Sequence, residues 1–131
     1  MKPMTHTPHL LFWKALIGLV VFDLALLFGN FALVRRIVCK WRMAARASPR
    51  TTVEQVCDAV DLASVCYPKR VMCLQRASLM TCLLRSHGVT AEMVLGAQKL
   101  PFEAHAWVEV GGRAINERKP VQLVYSVWDR Y

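Results

Sequence analysis

The hydrophobic period of this chain changes at Gly88. Before it, apolar residues recur every three or four positions. After it, they alternate. A segment cannot satisfy both periods, so the change divides a helical part from a strand part. The second part holds a tight-turn signal, Gly111-Gly112, between the alternating runs Ala104–Val110 and Arg113–Glu117. Two residues between two such runs specify an antiparallel hairpin. Thr90–Ala97 reads as a strand before the hairpin and Val121–Val127 as a strand after it. Helices followed by antiparallel strands is the α+β order.

The helical part has its own punctuation. Residues 9–34 are the most apolar stretch, interrupted by Lys14 and Asp23 and broken at Gly29-Asn30. A basic helix is expected from Phe31 to Ala47, closed by Ser48-Pro49. Thr52-x-x-Gln55 has the capping-box pattern and opens a helix with Val53, Val56, Cys57, Val60 and Ala63 on one stripe. Tyr67-Pro68 stops it. A further helix starts at Cys73 and ends at Gly88, with Cys73, Ala77, Met80 and Leu84 on one stripe. Cys82 lies about 180° round from Cys73 at 100° per residue, so the two thiols serve different faces.

At 131 residues the chain is one compact unit. It divides into an apolar and basic helical region, 1–48, and a core, 49–131. The net charge of +8 sits almost wholly in the first fifty residues, where eight Lys/Arg face the single acid Asp23. Arg35, Arg36, Lys40, Arg42, Arg46 and Arg50 form the cluster. Such a cluster suits anionic lipid or an acidic partner. It carries no nucleic-acid recognition motif and no stacking-aromatic face, so nucleic acid is not expected. The apolar run falls short of a clean membrane span. A buried or partner-binding helix ranks first, an interfacial helix second and a span third. Residues 1–8 lack periodicity and read as a mobile end. The five cysteines (39, 57, 66, 73, 82) are odd in number and contain no CxxC. They form neither a disulfide framework nor a zinc ribbon, which points to a reducing, cytoplasmic setting. No cofactor and no metal are expected.

Among those cysteines only Cys73 stands at a helix N-terminus. There the dipole and free N–H groups favour the thiolate, and the same N–H groups can hold an oxyanion. His105 is the only histidine inside a strand. Alternation puts it on one face with Trp107 and Glu109, while Ala106, Val108 and Val110 face the core. A strand imidazole opposite a helix start can serve a thiol as base. The third member depends on register. A strict two-residue turn pairs Trp107 with Asn116 and puts Asn116 on the face of His105. One bulged residue pairs His105 with Glu117 instead. The residues leave both open. Gln75 and Arg76 in the first turn belong either to a substrate groove or to a solvated face, and Glu109 reads as a surface acid paired with an arginine.

Cys73-Leu74-Gln75-Arg76-Ala77, Leu83-Leu84-Arg85 with Gly88, the strand ending at Gly96, and Phe102-Glu103-Ala104-His105-Ala106-Trp107-Val108-Glu109-Val110 resemble the lasso-peptide leader peptidases. These belong to the transglutaminase-like cysteine protease superfamily and are similar to the C-terminal domain of the microcin-maturation protease. The resemblance covers residues 53–117. It implies a transglutaminase- or papain-like core and a cysteine protease that removes the leader from a ribosomally made lasso precursor. Cys73 would be the nucleophile, His105 the general base and Glu117 the orienting acid, with Asn116 in reserve. Many relatives have Asp where Glu117 stands. It further implies a separate leader-recognition protein, since the chain has no room for a fused one, and a separate ATP-dependent cyclase.

Two other readings compete. One is transglutaminase or amidase chemistry on the same three residues, separated from hydrolysis only by the acceptor. The other is a non-enzymatic module that binds a membrane surface or a partner through the N-terminal helices.

Overall fold

The computed structural model describes residues 9–42, 51–99, 101–117 and 120–131. The element order is α1 (His9–Phe28), α2 (Phe31–Lys40), α3 (Thr51–Cys66), α4 (Cys73–Ser86), β1 (Ala91–Lys99), β2 (Phe102–Val110), β3 (Arg113–Ile115), α5 (Val121–Val124) and β4 (Ser126–Arg130). The strands form one antiparallel sheet in the order β3-β2-β1-β4. Helices precede the sheet, as the change of period requires. The expected end at residues 1–8, the Ser48-Pro49 stop, Arg46, Arg50 and the side chain of Thr52 lie outside the described residues.

The centre of the molecule is α4. Every residue from Ala77 to Leu84 is buried, and Gln75 as well. A helix apolar on only part of its circumference can be buried all round if its polar groups find partners inside. Ser78 Oγ donates to Leu74 O, and Thr81 Oγ1 donates to Ala77 O. Gln75 is 1% exposed, which excludes both positions expected for it, groove and solvated face. Its Nε2 donates to Leu19 O of α1 at 2.7 Å, and its Oε1 accepts from Met72 N at the start of α4. Arg85 donates to three backbone carbonyls: Ala91 at the start of β1, Val38 in α2 and Tyr131 after β4.

The break at Gly29-Asn30 is an N-cap. Asn30 is extended at φ −153°, and its Oδ1 accepts from Leu33 N. It separates α1 from α2, which ends at Lys40 rather than Ala47. There Trp41 turns extended, and its Nε1 donates to Ser86 Oγ. One stripe of α1 (Leu11, Ala15, Leu19, Phe22, Ala25) is buried in the same core as Met80, Leu84 and Met93. The opposite stripe stays apolar and exposed, with Leu10, Ile17 and Leu27 each more than 60% accessible. By length and composition α1 can cross a membrane, but 28% of its apolar window is buried inside the protein.

Both faces of the central strands β1 and β2 carry buried residues, while β4 is exposed along its length. Ala106 and Val108 face the main core, as alternation predicts. The face of Trp107 and Glu109 is also closed, by α5 and Tyr125. Glu109 is 4% exposed and so is not a surface acid. It accepts from Trp107 Nε1, Gln122 Nε2 and Arg130 Nη1. Val121–Val127, expected as a strand, splits into the short helix α5 and the start of β4. Alternation would turn Val121, Leu123 and Tyr125 inward together. A helical turn buries Val121 and Tyr125, leaves Leu123 87% exposed, and brings Gln122 to Glu109.

The packing against this second face is tight at Gly96, which pairs with His105 across β1 and β2. A Cβ there would stand 2.6 Å from the Trp107 ring and 2.9 Å from Ser126 O. Neither neighbour can withdraw, because Trp107 is buried and Ser126 O is backbone. Gly96→Ala should therefore cost about 1–3 kcal/mol, as overpacked core sites do. Thermal denaturation should show a melting point several degrees lower, with unchanged helix content.

Candidate functional site

Cys73 is the first residue of α4 and remains accessible to solvent. The His105 side chain stands beside its thiol on the wall of one cavity, with the backbone of Ala106 and Leu74 adjacent. These contacts, the imidazole first, hold the thiol below its ordinary value of 9.0 against the effect of burial. The other four cysteines lack this setting. In Cys57 and Cys82 burial pushes the thiol up to about 12.

His105 Nε2 donates to Glu117 Oε1 at 3.1 Å. Bonding to Cys73 and then to Glu117 raises the imidazole from 6.5 to about 9. Two aromatic rings adjoin it and each other, their own centroids 6.0 Å apart. Tyr125 stacks on His105 at 5.3 Å between centroids, and Trp107 at 6.1 Å. Their stacking helps fix the plane of the imidazole.

The sequence tied the third residue to the turn register, and the structure separates the two questions. Val110 pairs with Arg113, Glu109 with Ala114 and Val108 with Ile115, so the turn is the strict two-residue one. Gly111 and Gly112 both have positive φ (62° and 78°), as a type I′ hairpin needs. In that register Asn116 would face the imidazole if β3 continued. It does not. Asn116 takes the left-handed conformation at φ 56°, β3 ends at Ile115, and the chain turns Glu117 to His105. Asn116 Nδ2 instead donates to Asp61 Oδ1 at 2.9 Å. Cys73, His105 and Glu117 are thus brought together and Asn116 is turned away.

The imidazole stands between two cavities. One, of about 350 Å³, is apolar and runs past Cys73, Leu74, Phe31, Trp128 and Tyr131. The other, of about 710 Å³, is open and polar, with Asp61, Arg76, Glu103, Glu117 and Tyr125 on its walls. Sequence reasoning missed Tyr125 and Asp61. Tyr125 was legible only as the fourth residue after Val121 on a helical turn. Asp61 carries no local signal, because its partners are distant in the chain. Among the described residues no three His, Cys, Asp or Glu side chains are grouped to hold a metal.

A thiol paired with an imidazole has a characteristic pH response. Folding raises the His105 pKa, so its contribution to stability is complete below about pH 6.5 and is lost as the pH rises through about 9. Within the window between the lowered thiol value and about 9, the pair exists as thiolate and imidazolium. Alkylation of Cys73 by iodoacetamide, followed by peptide mass spectrometry, should level off at a lower pH than that of an ordinary thiol. An ordinary thiol below its pKa gains about tenfold per unit. His105→Ala should restore the steep ordinary profile.

The chain matches the family model described as the transglutaminase-like superfamily over residues 18–128. It is 40% identical over 55 residues to the microcin J25-processing protein McjB of Escherichia coli. That alignment covers 42% of this chain and 26% of the relative, so the chain matches about a quarter of that protein's length. No solved structure matches significantly. With the model spanning most of its length, this chain belongs to the transglutaminase-like superfamily.

Proposed function

We propose that this protein is a cysteine peptidase that removes the leader from a ribosomally made lasso-peptide precursor. The observation that carries the reading is the line Cys73–His105–Glu117 at the wall of an apolar cavity, on a chain similar to a microcin-processing protein. The Cys73 thiolate attacks the scissile carbonyl carbon. The oxyanion is met by backbone N–H groups at the start of α4. His105, held as imidazolium by Glu117, gives its proton to the leaving amine as the C–N bond breaks. The resulting thioester is hydrolysed by a water whose proton returns to His105, and the thiol leaves as thiolate.

The apolar cavity takes a substrate side chain next to the scissile bond. A separate leader-recognition protein delivers the precursor, and an ATP-dependent cyclase closes the ring afterwards. The exposed apolar stripe of α1 and the exposed Arg35 and Arg36 of α2 are where we place the docking of that partner or a peripheral contact with the cytoplasmic membrane surface. Amine transfer on the same three residues is the competing chemistry, because the acyl-enzyme is common to both.

The test is a cleavage assay by mass spectrometry, with the precursor and recognition protein encoded beside this gene. Wild type should make a single leader cut, and Cys73→Ala should make none while retaining partner binding. Glu117→Gln should lower the rate about 10²-fold or more, the scale of acid–base assistance. A cut that survives Cys73→Ala sinks the reading. A product heavier by the mass of an added amine moves the assignment to acyl transfer.

A further inference from the structure

The residues that aim Glu117 lie outside the thiol–imidazole–carboxylate line. Glu117 reaches His105 only because β3 stops one residue early. Nothing in the hairpin itself enforces that stop. Asn116 is a non-glycine residue at φ 56°, a conformation that most side chains disfavour and asparagine tolerates. Tolerance is not a cause, and the cause stands in the polar cavity. Arg76 Nη2 donates to Asn116 O at 3.2 Å and to Asp61 Oδ1 at 3.1 Å. Asn116 Nδ2 donates to the same Asp61 oxygen at 2.9 Å. The backbone and the side chain of Asn116 are therefore both held, one by α4 and one by α3.

We propose that Asp61, Arg76 and Asn116 form a positioning clamp that fixes the end of β3 and so sets the aim of Glu117 at His105. The inference rests on the Cys73–His105–Glu117 reading above. None of the three touches the reacting atoms, so they are positioning residues. Arg76 is three residues after Cys73, one turn along the same helix. The turn that carries the nucleophile thus also holds the residue before the orienting acid. Asp61 brings in α3, which also packs on α4. The clamp is half exposed, so its effect on stability is small, as for surface ion pairs. Its effect on the imidazole is transmitted through geometry.

That distinction makes the clamp testable. The ionisable groups facing His105 are Cys73 from α4, Glu117 after β3 and Tyr125 after α5. Glu103 on β2 lines the same cavity with Asp61 and Arg76. The readout is the pH profile of Cys73 alkylation by iodoacetamide, which needs no substrate. Losing Glu117's aim weakens the imidazolium and moves thiolate formation to higher pH. Asp61→Ala and Arg76→Ala should each move the alkylation profile of Cys73 to higher pH by about half a pH unit, which lowers labelling about threefold on the rising limb of the profile. Glu117→Gln sets the limit of the effect. In the Glu117→Gln background neither clamp substitution should change the profile further. Asn116→Val, which disfavours positive φ, should resemble Glu117→Gln, and Asn116→Gly, which permits it, should keep more of the wild-type profile.

Thermal melts of each variant establish that it is folded. The clamp is overturned if folded Asp61→Ala and Arg76→Ala keep the wild-type profile. It is equally overturned if their shifts are undiminished in the Glu117→Gln background. The peptidase reading fails separately: a precursor left uncut by wild type removes the activity but leaves the alkylation profile to report on the clamp.

Discussion

A helix buried on all sides is the constraint from which the architecture follows. Its side chains must be apolar, or polar and satisfied from within, and α4 meets this with Gln75, Ser78, Thr81 and Arg85. No buried side-chain nitrogen or oxygen among the described residues lacks a partner. Elements must then be found to cover it, which explains why α1, α2 and α3 all precede the sheet and why α1 belongs to the core. The two ends of such a helix reach solvent, at Cys73 and at Ser86. Cys73 sits at one of them, so the residue that needs access to substrate has it, while the helix behind is immobilised by packing.

The second layer of order comes from β1 and β2 carrying buried residues on both faces. His105 lies on the face that also holds Trp107 and Glu109. That face would be wet in an ordinary two-layer α+β domain. Here α5 and Tyr125 pack over Trp107, and Glu109 is buried while its partner Arg130 stays partly exposed. The imidazole consequently joins Trp107 and Tyr125 in a cluster of three rings at the boundary of an apolar and a polar cavity. Its environment favours the charged form because both hydrogen-bonding neighbours, thiolate and carboxylate, are anions, and this outweighs the cost of burial.

The sequence disclosed what depends on neighbours in the chain. The period change at Gly88, the Gly29-Asn30 break, the hairpin turn and the helix beginning at Cys73 are all local signals, and each appears where expected. Cys73 and His105 were legible because helix start and strand alternation place them. What escaped was set by distant partners. Gln75 looked like an exposed first-turn residue because its acceptor, Leu19 O, lies 56 positions away. Val121–Val127 looked like a strand because apolar β-branched residues favour one, and only the cover over Trp107 selects the helical turn. The choice between Asn116 and Glu117 could not be read from register, because the register is strict and the strand ends before it matters.

Arg85 has a consequence for how the chain assembles. Its three acceptors belong to α2, the start of β1 and the residue after β4, at sequence distances of 47, 6 and 46 residues. Forming any one of them alone leaves the guanidinium partly desolvated with donors unmet. All three are satisfied only when the N-terminal helices, the sheet and the final strand have docked together. The arginine thereby acts as a coincidence device, penalising half-built forms and rewarding the complete one. This favours a single cooperative transition over stepwise assembly of a helical half and a sheet half.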